Sequence, residues 1–332
     1  MNKEIKSLYR VYRPKNFGEV IGQQHITRTL QNQIESGKIA HAYLFCGTRG
    51  TGKTSVAKIF AREVSRWAPE KDTPQSELDI FEIDAASNNS VQDVREIIEK
   101  VKYPPVFAKY KVYIIDEVHM FSGAAFNAFL KTLEEPPSHV IFILCTTEPH
   151  KLLPTVQSRC LRFDFRTATT ADLEKSLMGI LKKENIQADA DAIKLLASAG
   201  HGSFRDAQSF TETVLSYCGD KKITLIDVCE VIGIIDKKTL RELLNFILAN
   251  DFTMIKTTCD FIFGKGLNAS TLVKDFLEII RTVFIETKNA ALLKIYKVFA
   301  ELEMNIKTAC DVKSLFESAC FLSLADGTEP HV

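Results

Sequence analysis

The sequence predicts an α/β fold over its first half, a parallel sheet covered by helices, followed by an all-helical second half. Three observations predict it. Strand-like and helix-like patterns alternate through the first half of the 332 residues. A glycine-rich segment, Gly47-Thr48-Arg49-Gly50-Thr51-Gly52-Lys53-Thr54, stands between an apolar run and a helical one. Beyond residue 170 the strand signals fade and the periodic stretches have helical spacing. Repeated strand–helix units build parallel sheets, because each return to the same edge needs a crossover, usually a helix.

The elements follow in order. Ile26, Leu30 and Ile34 fall at helical spacing, and Gly37 is placed to end that helix. Residues 42–46 read as a buried strand and 53–66 as the helix after the glycine-rich segment. Ile80-Phe81-Glu82-Ile83 reads as a short strand, and Val91, Val94, Ile98 and Val101 mark the next helix. Val112 to Ile115 is a third strand, Ala124 to Leu133 a helix, and Val140 to Leu144 a fourth strand. The fifth, Leu161-Arg162-Phe163-Asp164-Phe165, alternates apolar and charged residues as a half-exposed edge strand does. Residues 171–183, 189–199, 203–217 and 224–232 read as short amphipathic helices. Helical spacing continues over 237–325, interrupted at Gly264 and Gly266.

Composition narrows the class. Lys plus Arg and Asp plus Glu both total 42, so the net charge is zero, and nucleic-acid contact would depend on local placement of cations. The N-terminal residues lack the apolar core of a signal peptide, and no apolar run approaches a membrane span. None of the eight cysteines forms a C-x-x-C pair, and most lie in apolar segments. Buried free thiols in a reducing cytoplasm are the expectation.

The glycine-rich segment fits the G-x-x-x-x-G-K-[ST] phosphate loop. Its glycines let backbone N–H groups surround a polyphosphate, at a helix N-terminus whose dipole favours anions. Gly47, Thr48, Arg49, Gly50, Thr51, Gly52, Lys53, Thr54 and Ser55 are therefore the expected nucleotide cradle. Lys53 is placed to reach the β- and γ-phosphates, and Thr54 to bind Mg²⁺. The third strand ends in Asp116-Glu117, at the sheet edge beside the loop. Asp116 is placed to hold Mg²⁺ and Glu117 to polarise the attacking water. The fourth strand ends in Cys145-Thr146-Thr147-Glu148, where Thr147 is the candidate hydroxyl for the γ-phosphate or its water. Arg159 and Arg205 are candidate stabilisers of phosphoryl charge, although each taken alone reads as a surface arginine.

Together these motifs resemble the gamma/tau family of bacterial clamp-loader ATPases. Matching stretches run in the family's order. They are Leu8-Tyr9-Arg10-Val11-Tyr12-Arg13-Pro14, Ile21-Gly22-Gln23, His41-Ala42-Tyr43-Leu44-Phe45, the phosphate loop and Asp84-Ala85-Ala86-Ser87-Asn88-Asn89. Tyr110-Lys111-Val112-Tyr113-Ile114-Ile115-Asp116-Glu117-Val118-His119-Met120, Lys131-Thr132-Leu133-Glu134-Glu135-Pro136-Pro137, Thr146-Thr147-Glu148-Pro149-His150-Lys151, Ser158-Arg159-Cys160 and Gly202-Ser203-Phe204-Arg205-Asp206-Ala207 complete the set. The resemblance implies an AAA+ nucleotide-binding domain over 1–168, a helical lid over 169–235 and an α-helical collar over 236–332. It implies ATP and Mg²⁺ as ligands. It makes Thr147 the first sensor, Arg205 the second, and Arg159 an arginine finger acting on a neighbour. It also puts Leu8, Arg10 and Ile21 around the adenine. The partners it implies are delta and delta-prime subunits, further copies of the chain, the sliding clamp and primer-template DNA, in the cytoplasm and near the nucleoid.

The sequence departs from the family in two places. Members usually carry a four-cysteine zinc module after the phosphate-loop helix. The corresponding stretch 67–78 has no cysteine or histidine, so a short polar loop without zinc is expected there. The chain also ends at Val332, which resembles the shorter gamma form or a fragment. Two other readings keep the fold: a catalytically silent clamp-loader scaffold, and a different AAA+ machine such as a Holliday-junction motor or helicase loader. A nicotinamide-dependent dehydrogenase is more distant, because no G-x-G-x-x-G follows a strand.

Overall fold

Among the described residues, five parallel strands form one sheet. The computed structural model describes residues 7–66, 74–219, 221–233, 235, 237–264, 269–306 and 311–324. The strands are β1 (Ala42–Cys46), β2 (Ile80–Asp84), β3 (Lys111–Asp116), β4 (Val140–Thr146) and β5 (Leu161–Asp164), in the spatial order β2-β3-β4-β1-β5. Central β1 and β4 are buried along their whole length, as a sheet covered on both faces requires. Within β1 the faces still alternate. Tyr43 and Phe45 join one core, while Ala42, Leu44 and Cys46 join the other. β5 pairs only with β1 among the described strands and buries only Phe163, which gives it the edge position its alternation predicts.

Helices α1 (Leu8–Val11), α2 (Gln24–Ser36) and α3 (Lys53–Ser65) come first, followed by α4 (Val91–Val101), α5 (Gly123–Glu134) and α6 (Pro154–Gln157). Ile26 and Leu30 of α2 and Val56, Ile59 and Phe60 of α3 cover one face of the sheet. Val94 and Ile97 of α4 and Phe126, Phe129 and Leu133 of α5 cover the other. Gly37 ends α2 in a left-handed conformation, and a Ser90–Asp93 capping box starts α4. The single-turn helices α1 and α6 were not expected, because one turn cannot display a 3.6-residue period.

Residues 67–73 of the expected polar loop lie outside the described residues. Pro74–Asp79 form a 3-10 helix. Asp79 is buried at its end and its carboxylate accepts backbone N–H bonds from Val106, Phe107 and Ala108 at 2.6–3.1 Å. This ties the start of β2 to the loop that leads into β3.

The remaining helices are α7 (Thr170–Lys183), α8 (Ala190–Ala199), α9 (Phe204–Cys218), α10 (Leu225–Ile232), α11 (Lys237–Leu248), α12 (Phe252–Gly264), α13 (Ala269–Thr287), α14 (Ala291–Asn305) and α15 (Val312–Leu322). The chain divides into two compact units, one up to Leu215 and one from Ser216. The second has its own core, drawn mainly from α11 to α15. At its centre Phe299 meets Phe276 edge-on at 4.7 Å and Phe316 at 5.3 Å.

Candidate active site

The loop between β1 and α3 bends tightly around Lys53. Its ammonium turns back to donate to the carbonyls of Gly47 at 2.8 Å and Thr48 at 3.0 Å, and the residue is only 5 % exposed. Burial pushes the Lys53 ammonium below its ordinary value. The negative charge of Glu117, then of neighbouring groups including Asp116, opposes that shift. A buried cation of this kind is a ready partner for an anion. No side chain caps the N-terminus of α3, so the site also offers backbone N–H groups and the positive end of a 13-residue helix.

Two glycines of the loop are fixed by their surroundings. A Cβ on Gly47 would lie 2.7 Å from the carbonyl oxygen of Phe165. Gly50 has φ +75° and would place a Cβ 2.0 Å from the hydroxyl of Ser203. Phe204, the first residue of α9, donates its N–H to the Gly50 carbonyl at 3.0 Å. The loop and the start of α9 are therefore in direct contact, beside Arg205.

The carboxylates arrive from β3. Thr54 donates its hydroxyl to Asp116 Oδ2 at 2.7 Å. Glu117 has left-handed backbone angles, φ 48° and ψ 44°, which turn the chain from β3 into the 3-10 helix Val118–Met120. Its Oε2 accepts from the Thr147 hydroxyl at 3.0 Å and from the Thr147 N–H at 3.3 Å. Thr54 and Asp116 present hard oxygen donors suited to Mg²⁺. The thiols nearby stay protonated, since burial pushes Cys46 up to about 11, Cys160 to about 12 and Cys145 well above its ordinary value.

The phosphate loop and the two carboxylates border a cleft of about 210 Å³. Ile21, the segment from Arg49 to Ser55, Asp116, Glu117 and Arg205 line it. Gly47 and Thr48 meet Lys53 through their carbonyls instead. Leu8 and Arg10 are not among the lining residues. The apolar Leu8 is buried and Arg10 is exposed, while Tyr9 between them faces the cleft together with Tyr12, Pro14 and Val20. The Arg205 guanidinium stacks 4.7 Å from the centre of the Tyr9 ring. A hydrogen bond with Arg10, and then the charges of Arg10 and Arg205, hold the Tyr9 phenol below its ordinary value. Thr147 reaches the site through Glu117 and does not line the cleft. Arg159 lies elsewhere on the surface, paired with Glu134 and donating to the Thr155 carbonyl at 2.6 Å. Sequence reasoning missed Tyr9 and Ser203, although both stand inside the matching stretches.

The profile described as DNA polymerase III, delta subunit, matches residues 22–169. The profile of the DNA polymerase III clamp loader subunit, ATPase lid domain, matches 172–220, and that of subunits gamma and tau, domain III, matches 223–296. The DNA polymerase III subunit gamma of Buchnera aphidicola subsp. Schizaphis graminum is 37% identical over 295 residues, 85% of this chain and 80% of that one. The chain belongs to the gamma/tau family of DNA polymerase III subunits. Another gamma/tau member, the subunit tau of Bacillus subtilis, is 40% identical over 319 residues, 91% of this chain and 56% of the relative. The chain thus spans about half the length of several gamma/tau relatives that it matches. The Holliday junction branch migration motor RuvB of Thermotoga maritima superposes with a TM-score of 0.55 at 21% identity, over 71% of this chain and 79% of that one. That likeness shows a shared AAA+ fold for a gamma/tau chain and nothing more specific.

Proposed function

We propose that this chain is an ATP-hydrolysing subunit of a bacterial sliding-clamp loader, coupling ATP binding and hydrolysis to loading of the clamp on primed DNA. The observation that carries the reading is the joining of a buried, carbonyl-bound Lys53 to the Thr54–Asp116 pair and to Glu117 at one cleft. In this reading the loop amides from Gly47 to Ser55 and the Lys53 ammonium bind the polyphosphate of ATP. Thr54 and Asp116 hold Mg²⁺, which would neutralise phosphate charge when bound. Glu117 orients a water and takes its proton as the oxygen attacks the γ-phosphorus and the bond to ADP breaks. Thr147 aligns Glu117, and Arg205 meets the phosphates from the lid. Ile21, with Tyr9, borders the adenine side. Arg159 serves the ATP of a neighbouring chain.

The same reading divides the chain into a nucleotide-binding domain over 1–168, a lid over 169–235 and a collar over 236–332. It assigns as partners the delta and delta-prime subunits, further copies of the chain, the clamp and primer-template DNA. It places the work in the cytoplasm, at the nucleoid. Among the described residues, no helix is long and apolar enough to cross a membrane. A silent scaffold would have no need of Lys53, Thr54, Asp116 and Glu117 together. The test is Glu117→Gln in the assembled loader. ATP binding is expected to persist while hydrolysis stops and the loader stays on the clamp. Hydrolysis at the unmutated rate would remove Glu117 from the base role.

A further inference from the structure

Three residues after Asp116, the imidazole of His119 is packed into the site with its side chain only 7 % exposed. Left-handed Glu117 and the 3-10 turn that follows it carry the ring back against the end of β4. Its Nδ1 lies 3.1 Å from the Thr146 hydroxyl and 3.4 Å from Glu117 Oε2. Its Nε2 lies 3.1 Å from Glu148 Oε2. Thr146 Oγ1 in turn accepts the Glu148 N–H at 3.0 Å. The Glu148 carboxylate is anchored from outside by Lys151 at 2.9 Å, which holds it below the usual carboxylate range, with His119 and His150 adding to the effect.

We infer that His119 is a positioning residue for Glu117, bracing it against the end of β4 through Glu148. The inference rests on the hydrolytic role proposed for Glu117. A carboxylate acceptor at Nε2 requires a hydrogen on that nitrogen, which fixes the plane of the ring. With that hydrogen on Nε2, Nδ1 is left to accept from the hydroxyl of Thr146, the neighbour of Thr147, and the ring packs 3.4 Å from Glu117 Oε2. Thr147 holds the same Glu117 oxygen by two bonds, so His119 supplies contact from a second side. A carboxylate on a flexible side chain needs such support to hold a water in line, since a displacement of about 1 Å costs about 100-fold in rate. The arrangement follows the pattern of a base oriented by a neighbour that is itself oriented by a third group. Asp116 needs no such brace, because its oxygens already accept from Thr54 and from the Glu117 N–H.

The experiment compares His119→Ala, His119→Asn and His119→Gln in the assembled loader, with clamp and primed DNA. Asparagine carries its amide near the place of Nδ1, and glutamine near that of Nε2. His119→Ala is expected to lower kcat about 10- to 100-fold and to leave KM for ATP, and ATP affinity of the lone chain, within about threefold. His119→Asn, which keeps an acceptor for Thr146 but loses the hold on Glu148, is expected to recover part of the loss, and His119→Gln less. In the nucleotide-free chain, urea unfolding of His119→Asn, Glu148→Gln and the double variant is expected to be non-additive, reporting the Nε2–Glu148 contact without any turnover. Unchanged kcat in His119→Ala would overturn the inference. So would a parallel loss of kcat, ATP affinity and stability in all three variants, which marks a purely structural residue. The unmutated loader and Glu117→Gln run alongside. If these two hydrolyse ATP equally, the reading of Glu117 fails, and that result is separate from any failure of His119.

Discussion

Lys53 holds a positive charge where burial penalises it. Its folded-state pKa lies below the ordinary lysine value of 10.5. The unfolded chain therefore holds that proton more tightly. The penalty on the ligand-free protein is fully present below the folded pKa and is relieved as pH rises toward 10.5. A bound polyphosphate reverses the balance by giving the ammonium a counter-charge. ATP at about 100 times its Kd should thus stabilise the unmutated chain by about 2.7 kcal/mol. In Lys53→Ala the thermal shift with Mg²⁺ and ATP should vanish; a shift as large as that of the unmutated chain would show that Lys53 does not bind the nucleotide. At this scale the loop was legible because its residues are contiguous, and its glycines and lysine act within one turn. Tyr9, His119 and the Glu117–Thr147 bond were not, because their partners lie far away in sequence. Leu8 and Arg10 were expected around the adenine from the family resemblance alone, and the cleft is lined instead by Tyr9 between them. On a single turn the apolar leucine goes inward and the phenol can face both water and a ring.

Elements were legible wherever a period repeats. The five strands and the helices from α2 to α5 and from α7 to α10 lie close to the expected spans, while α1, α6 and the 3-10 turns left no periodic trace. The tie between β2 and β3 is of the second kind, since nothing in sequence links Asp79 to Val106, Phe107 and Ala108. Replacing Asp79 by alanine leaves three backbone donors without that acceptor. Ala108 is buried, whereas Val106 and Phe107 are exposed and their loop can take up water. The net cost should be about 2–4 kcal/mol, with Asp79→Asn at about half because it keeps one acceptor oxygen. Urea unfolding measures both. An Asp79→Ala chain as stable as the unmutated one would mean that the loop re-pairs its donors at no cost. At the start of α9 the Phe204 N–H binds the Gly50 carbonyl, while Ser203 fills the space a side chain at Gly50 would need. Gly50→Ala must then adopt an unfavourable φ and push Ser203 away. It should weaken ATP binding by loosening the loop and the start of α9 together, as titration calorimetry would register. ATP affinity within twofold of the unmutated chain would show that the contact is incidental.

At the scale of the whole molecule the question is which nucleotide Arg159 serves. It does not line the cleft that holds Lys53, and its guanidinium is spent on Glu134 and the Thr155 carbonyl at the surface. A surface ion pair of this kind is worth little, about 0–1 kcal/mol, so Arg159 can leave Glu134 for a stronger anion at small cost. A phosphate presented by an adjoining subunit is such an anion. Arg159→Ala should therefore leave ATP binding by the lone chain nearly unchanged. In the assembled loader it should lower hydrolysis strongly, since a trans-acting arginine contributes about 10³-fold or more in phosphoryl transfer. Glu134→Gln should leave hydrolysis intact, because it frees Arg159 without removing it. Mixing the chains decides the matter. A loader that combines Arg159→Ala chains with Lys53→Ala chains should lose those sites where an intact loop faces a missing arginine, while sites pairing an intact loop with an intact arginine keep working. If Arg159→Ala instead weakens ATP binding to the lone chain as much as Lys53→Ala does, the arginine serves its own nucleotide and the trans assignment fails.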